Sequence, residues 1–152
     1  MKRMINIIRT NSKNKCFVRL VKELDSYLKI TDKDEHDFYN QFNSIEHLKE
    51  VVVIYLDGVA VGCAAIKKLD NNVVEVKRMF VLKENRGVGI AQKLLDELEA
   101  WAKELGHIKC VLETGIRQVR AIVFYKKCKY KVIPNYGQYI GMENSVCFEK
   151  NI

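Results

Sequence analysis

The part of the chain that most limits its possible folds lies between residues 73 and 95. Residues 73–81, VVEVKRMFV, are rich in β-branched side chains and predict a strand. A short loop with Gly87 and Gly89 follows, and an amphipathic helix is predicted directly after it. The first N–H groups of a helix have no intrahelical partner and lie at the positive end of its dipole. Since glycines allow close approach to these groups, the order strand, glycine turn, helix predicts a phosphate-binding site.

The spacing of the glycines excludes two common kinds of phosphate site. A P-loop requires a Gly-Lys-Ser/Thr sequence, which does not follow this loop. A dinucleotide fingerprint requires a third glycine where this chain has Gln92. The pattern that remains is Arg-x-x-Gly-x-Ala over residues 86–91.

This pattern resembles the Q/R-x-x-G-x-G/A turn of the GNAT superfamily of acetyl-CoA-dependent N-acetyltransferases, where the turn holds the CoA pyrophosphate. The features that follow it in the family also occur here in order: a helix over 91–105, a strand over 109–113, the polar residue Gln118, and Tyr125 within a helix over 121–130. A motif is supported by its structural context, so these features strengthen the resemblance. It covers residues 50–150 well and residues 1–50 loosely.

The resemblance implies one α/β (α+β) domain over residues 1–152, with the GNAT fold. That fold has a mixed, mostly antiparallel central sheet of about seven strands flanked by about four helices, and the hydrophobic periodicity fits it. A strand is predicted at 4–9, helices at 15–28 and 36–48, a hairpin of strands 51–56 and 59–66 around Asp57-Gly58, and two strands at the end of the chain.

Composition narrows the possible partners. The net charge of +7 favours anionic ligands, and CoA carries such charge in its phosphates. No nucleic-acid-binding motif is present, so we expect no nucleic acid partner. The five cysteines lack C-x-x-C spacing, which favours free thiols over a metal site. With neither a signal peptide nor a membrane span predicted, we expect a soluble, cytoplasmic monomer or homodimer.

The cofactor residues follow from the resemblance, which implies acetyl-CoA as co-substrate and no metal. The backbone of Met79, Phe80 and Val81 would pair with pantetheine as an added strand. Gln118 takes the place of an asparagine that often contacts pantetheine in the family. The pyrophosphate would be held mainly by backbone N–H groups, so that the position of Arg86 matters more than its side chain. The residues expected to surround the pyrophosphate are Arg86, Gly87, Val88, Gly89, Ile90, Ala91 and Gln92.

The catalytic residues are also implied by the resemblance. Tyr125 matches the family's general acid, which protonates the departing thiolate. Glu75 and Glu113 match the glutamates that different branches use as general base, with Glu75 slightly favoured. An unpaired carboxylate in a buried, largely apolar strand is costly, so either glutamate must be paired or have a function. The alternative to catalysis is therefore a salt bridge with Lys77, Arg78 or Arg117.

The acceptor side is less defined by sequence. Candidate walls of its pocket are His36, Tyr39, Tyr136 and Tyr139, and Asp32, Asp34 or Glu35 would attract a cationic amine or form a solvated loop. We expect direct transfer of acetyl to a primary amine of a small molecule in a ternary complex. The alternatives are a protein or peptide N-acetyltransferase and a non-catalytic module that binds acyl-CoA.

Overall fold

The structure, a computed structural model, describes residues 3–32 and 44–152. Seven strands and three α-helices lie in these ranges, and two single turns of 3₁₀ helix occupy Lys83–Asn85 and Gly137–Tyr139. The elements in chain order are β1 Ile5–Thr10, α1 Lys15–Asp32, β2 Glu50–Leu56, β3 Val59–Lys68, β4 Val73–Val81, α2 Ile90–Glu104, β5 Lys109–Gly115, α3 Val119–Lys127, β6 Lys131–Ile133 and β7 Ser145–Asn151.

The strands form one sheet in the order β1-β2-β3-β4-β5-β7-β6. Every neighbouring pair is antiparallel except β4 and β5, which are parallel. A parallel pair needs a crossover, and α2 supplies it. The predicted mixed, mostly antiparallel sheet of seven strands is therefore confirmed.

Helices cover both faces of the sheet because each has one apolar stripe. The stripe of α2 (Ile90, Leu94, Leu95, Leu98 and Ala102) is buried with Val74, Val76, Leu112 and Phe148 on one face. The stripe of α1 (Phe17, Leu20, Val21 and Leu24) packs on the opposite face against Val51, Val53 and Phe80. Trp101 of α2 is partly buried against this core, with the Arg9 guanidinium 5.0 Å above its ring.

The sheet opens between β4 and β5. These strands pair only over Val73–Glu75, where Glu75 lies opposite Val111. Further along β4, Cys63 pairs with Phe80 but Ala65 pairs with Lys77, which leaves two β4 residues opposite one β3 residue. Arg78, one of the two, has a positive φ of 56°. Such a bulge bends its strand and redirects its side chains, so that β4 leaves β5 at this point.

One predicted helix is not borne out where it can be examined. Residues 36–43 of the predicted helix 36–48 lie outside the described residues. Residues 44–48 are not helical, because the Leu48 N–H donates to Ile45 in a turn and the Leu48 carbonyl accepts from Ser12. Leu48 is buried in the α1 core, so its apolar character reflects packing rather than a helical stripe.

The described residues also bear on the expectations drawn from composition. The five cysteines all lie in the described ranges, and none of them forms a disulfide. Within residues 3–32 and 44–152, no cluster of three or more His, Cys, Asp or Glu side chains could hold a metal. No helix in the same ranges is long and apolar enough to cross a membrane.

Gly62 permits the close contact between β3 and α2, and we expect Gly62→Ala to lower the free energy of unfolding by about 1–3 kcal/mol. An added Cβ would lie 3.1 Å from side-chain atoms of Ile54 and Leu94 and 3.1 Å from the Phe80 carbonyl, which cannot move without moving β4. Urea denaturation measures the loss. The control Val59→Ala changes an exposed residue of the same strand and should have little effect. An unchanged denaturation midpoint in Gly62→Ala would contradict this packing.

Candidate active site

A cavity of about 480 Å³ lies in the gap between β4 and β5. Its volume is in the range typical of small-molecule sites. Residues from both strands, α1, α2, α3 and the loop before α2 line it. They include Leu24, Tyr27, Leu28, Glu75, Lys77, Met79, Phe80, Val81, Arg86, Gly87, Ala91, Glu113, Gln118, Arg120, Phe124, Tyr125 and Tyr139.

The cavity is reached from both faces of the sheet. Successive strand side chains alternate between faces, so Glu75 lies opposite the core residues Val74 and Val76 and on the side of α1. Tyr125 comes from α3 and belongs to the core on the other face. Because the sheet is open here, groups bound on the two faces can meet within one cavity.

The loop before α2 has the geometry of an anion site. Gly87 and Gly89 have φ of 80° and 87°, a conformation that strongly favours glycine. Gly89 caps the helix, and its carbonyl accepts the first intrahelical bond from Lys93. The N–H groups of Ile90, Ala91 and Gln92 therefore have no helical acceptor. The first turn of α2 contains no acidic residue, so nothing there competes with a phosphate.

The side chain of Arg86 fixes this loop in place. Its Nε donates to the Val81 carbonyl at 2.9 Å, and its guanidinium lies 5.7 Å from the ring centres of both Tyr27 and Phe80. These contacts join the loop to β4 and α1, a structural role that was not expected from the sequence. Lys83 lies at the same rim and adds positive charge beside the loop.

The free edge of β4 faces the cavity, as the pantetheine prediction requires. Phe80 and Val81 pair with β3 on one side, but no residue of β4 beyond Glu75 pairs with β5. Met79, Phe80 and Val81 all line the cavity. An extended ligand could therefore hydrogen-bond to this edge as an added strand.

Gln118 lies at the cavity, but its side chain points to α1. Its Nε2 donates to the Thr31 hydroxyl at 2.8 Å, which joins the start of α3 to the last turn of α1. The predicted contact with pantetheine would have to compete with this bond. Gln92 likewise bonds within the protein, to Asp96 and Cys128, so its backbone N–H rather than its side chain is available to a ligand.

Tyr125 is a buried tyrosine that lines the cavity. It is only 6% exposed, and burial raises the pKa of its hydroxyl well above the usual value, so the phenol stays protonated at neutral pH. The rings of Phe124, Tyr130 and Phe148 lie 5.2–6.0 Å from its ring and hold it in place. Within the described residues its hydroxyl makes no hydrogen bond.

Glu75 is buried among polar partners on the α1 side. It is 2% exposed, and the hydroxyl of Tyr136 donates to its Oε2 at 2.5 Å. Lys77 Nζ lies 3.6 Å from its Oε1, so one of the salt bridges considered from the sequence is present. Burial, and then the charge of Glu75, raise the pKa of the Tyr136 hydroxyl, which therefore remains a donor. The link between Tyr136 and Glu75 was not apparent in the sequence.

Glu113 and Tyr139 complete this polar group. Glu113 lies on β5 opposite Cys147 of β7, and Tyr139 packs edge-to-face on Tyr136 with ring centres 5.8 Å apart. The Asn135 amide donates to two carbonyls of the loop that carries both tyrosines and so braces it. Of the four predicted acceptor residues, Tyr136 and Tyr139 lie at the site. His36 and Tyr39 are outside the described residues, as are Asp34 and Glu35.

From the sequence, Lys77 and Arg78 were candidates only for salt bridges with a glutamate, and their place in the site comes from the fold. Simple alternation would send adjacent residues to opposite faces of the sheet. The bulge instead directs Arg78 to α1, where its guanidinium pairs with Asp25 and reaches the Val21 carbonyl. The sequence signal for them was a Lys-Arg pair inside a strand whose other residues, apart from Glu75, are apolar.

Comparison with known proteins agrees with this geometry. The profile of the acetyltransferase (GNAT) family matches residues 17–130. The chain is 31% identical to an IAA acetyltransferase of Azospirillum brasilense, with 96% of this chain and 97% of that protein aligned. It is 36% identical to the "Probable N-acetyltransferase 14" of Xenopus tropicalis over 73% of this chain and 54% of that protein.

Solved structures show the same fold. A Klebsiella pneumoniae protein, described as a candidate acyl-CoA N-acyltransferase, superposes with a TM-score of 0.82 at 27% identity, covering 97% of both chains. A GNAT family acetyltransferase of Elizabethkingia anophelis with acetyl-CoA bound has a TM-score of 0.68 at 17% identity, covering 97% of this chain and 98% of that one. With the profile match over most of its length, the chain belongs to the acetyltransferase (GNAT) family.

Proposed function

We propose that this protein transfers acetyl from acetyl-CoA to a primary amine of a small molecule, by direct attack in a ternary complex. The observation that carries the proposal is the single cavity between β4 and β5. It brings together an anion-binding helix start, a free strand edge, a buried phenol and two carboxylates. The acetyl-CoA bound to the Elizabethkingia protein of the same fold supports this choice of ligand.

Each group has a chemical role in this proposal. Glu75, or Glu113 in its place, accepts the proton that the neutral amine loses as its nitrogen attacks the thioester carbonyl, so that the product is an uncharged amide. Backbone N–H groups on the free edge of β4 stabilise the negative oxygen that develops. As the C–N bond forms and the C–S bond breaks, Tyr125 gives its proton to the departing sulfur. The protonated glutamate then gives its proton, through solvent, to the Tyr125 phenolate, which restores both groups.

A compact acceptor is supported by the loop over residues 134–144. This loop carries Tyr136 and Tyr139 onto the acceptor side, and Asn135 fixes its conformation. Tyr139 is 3% exposed and lines the cavity. These side chains narrow the space left for an acceptor on this side of the sheet.

The test is thiol release from acetyl-CoA with a panel of amino acids, polyamines, aminoglycosides and short peptides, with calorimetric titration of CoA in parallel. We expect CoA to bind and at least one small amine to release it catalytically. Turnover with peptides alone would favour a protein or peptide N-acetyltransferase. Binding without turnover across the panel would favour a non-catalytic acyl-CoA-binding module, and absence of CoA binding would refute the proposal.

The general base is assigned by comparing Glu75→Gln with Glu113→Gln across pH. We expect Glu75→Gln to lower kcat/KM about 100-fold and to remove the acidic limb of its pH profile, because the amide cannot accept the amine proton. Glu113→Gln should retain that limb. Loss of the limb in Glu113→Gln alone would assign the base to Glu113 instead.

A further inference from the structure

Lys77 is a buried cation with unused hydrogen-bonding capacity. It is 8% exposed, and an ammonium has three N–H donors. Its one ion pair within the described residues is with Glu75 at 3.6 Å, and its ammonium makes no hydrogen bond there. The side chain lines the cavity on the acceptor side of the sheet. A ligand anion at this point would supply the missing acceptor.

The other cations around the cavity are already engaged or lie at its rim. The Arg78 guanidinium pairs with Asp25 of α1 and reaches the Val21 carbonyl through Nη2, while its buried Nε has no hydrogen-bond partner in the part of the chain that the structure describes. Arg86 is bonded to the Val81 carbonyl and stacked between two aromatic rings. Arg120 lies with Arg86 at the rim, near the loop proposed for the pyrophosphate. Because Arg78 is hydrogen-bonded to a carboxylate and Lys77 is not, Lys77 is the better placed of the two to bind an anion on the acceptor.

The charges beside Lys77 indicate which other charged group the acceptor carries. Burial lowers the pKa of Lys77, and the charges of Glu75 and Glu113, which both line the cavity, act against that shift. Two carboxylates and one ammonium complement a ligand that carries an amine and an anion together. We propose that the acceptor is an α-amino acid whose carboxylate binds Lys77 while its amine faces Glu75. This inference rests on the proposed function and names its substrate class.

The short distance between Lys77 and Glu75 limits how far apart the amine and the carboxylate of the acceptor can be. Lys77 Nζ and Glu75 Oε1 are 3.6 Å apart, so the amine and carboxylate that they bind must also be close. An α-amino acid meets this requirement because one carbon carries both groups. A polyamine carries no anion and would place a second positive charge against Lys77.

The first test uses the unmodified protein and matched acceptors. Initial rates of acetyl transfer are measured for a series of α-amino acids and for the α-amides of the same amino acids. The amide has nearly the same shape as the carboxylate but no charge. The α-amine of the amide is also less basic, so a larger fraction of it is neutral and able to attack. This difference favours the amide, and a faster reaction of the acid is therefore the stricter result. We expect kcat/KM about 100-fold higher for the preferred acid than for its amide, the scale for one buried charge pair. Equal rates for acid and amide would overturn the proposal.

The second test assigns the preference to Lys77. In Lys77→Met the acid-to-amide ratio should fall close to one, mainly through KM for the acid, with the amide little affected. The matched control is Lys67→Met. Lys67 of β3 lies opposite Glu75 of β4 in the strand register, but it is not among the residues that line the cavity. This variant should keep the wild-type ratio. An equal loss of kcat for acid and amide in Lys77→Met would instead make Lys77 a support for Glu75 or for the developing oxyanion.

A binding measurement separates this inference from the proposed function. N-acetyl amino acids and their amides are titrated calorimetrically into the CoA-bound wild type and the Lys77→Met and Lys67→Met variants, which requires no turnover. Tighter binding of the acid that is lost only in Lys77→Met supports the site even if the catalytic proposal fails. Acetyl transfer with no preference for the carboxylate in either assay would refute this inference and leave the acetyltransferase proposal intact.

Discussion

Replacing Gly89 by valine is expected to weaken CoA binding by about 100-fold or more, because the loss of two hydrogen bonds to a charged phosphate costs about 1.5–3 kcal/mol each. Gly89 has φ of 87°, which a β-branched residue does not readily adopt. A Cβ built there meets no heavy atom within 4 Å, so the added side chain would project into the space in front of the helix start. The dissociation constant for CoA, measured by calorimetry, gives the effect.

The control for Gly89→Val is Gly58→Val. Gly58 lies in the hairpin turn between β2 and β3, with φ of 83° and equally open surroundings. Both variants should lose about 1–3 kcal/mol of stability through backbone strain. Only Gly89→Val should lose CoA binding. If both variants bound CoA with wild-type affinity, the loop before α2 would not be the phosphate site.

Tyr125→Phe should lower kcat about 100-fold, the scale for loss of one general acid, while leaving KM for acetyl-CoA nearly unchanged. Only the hydroxyl is removed, and it has no hydrogen-bond partner among the described residues. Stability should therefore stay close to that of the wild type. Steady-state kinetics with a saturating amine measure the change, and rapid-quench kinetics show whether the chemical step is the one that slows.

The control for this variant is Tyr130→Phe. The ring of Tyr130 lies 5.7 Å from that of Tyr125, but its hydroxyl donates to Glu99 and it is not among the residues that line the cavity. Losing that bond should cost about 1 kcal/mol of stability and leave kcat unchanged. A similar fall in kcat in both variants would indicate disturbed packing around α3. Wild-type turnover in Tyr125→Phe would remove Tyr125 from the mechanism.

The parts of the fold that depend on local chemistry could be predicted from the sequence. The predicted strand 73–81 agrees with β4, Val73–Val81, because β-branched side chains pack well on the pleated, largely buried surface of a sheet. The turn at Gly87 and Gly89 could be predicted because few residues other than glycine adopt positive φ. The amphipathic helix predicted after this turn is α2, whose buried residues recur with helical periodicity.

The parts that depend on contacts between distant segments could not. Arg78 takes a positive φ because β3 and β4 pair out of step there, and arginine itself gives no signal for it. The bond from Tyr136 to Glu75 joins residues 61 positions apart, and that from Gln118 to Thr31 joins residues 87 positions apart. Such contacts leave no periodic trace in the sequence. Lys77 is a candidate binding residue because of its burial and its ion pair with Glu75, and both depend on the fold.

The most direct test of the central claim, acetyl transfer to an amine, is to quantify both products of one reaction. The protein is mixed with acetyl-CoA and each amine of the panel, and mass spectrometry measures the acetylated amine while thiol titration measures the released CoA. We expect equal amounts of acetylated amine and free CoA, both depending on Tyr125. Release of CoA without any acetylated amine, or neither product despite tight CoA binding, would contradict it.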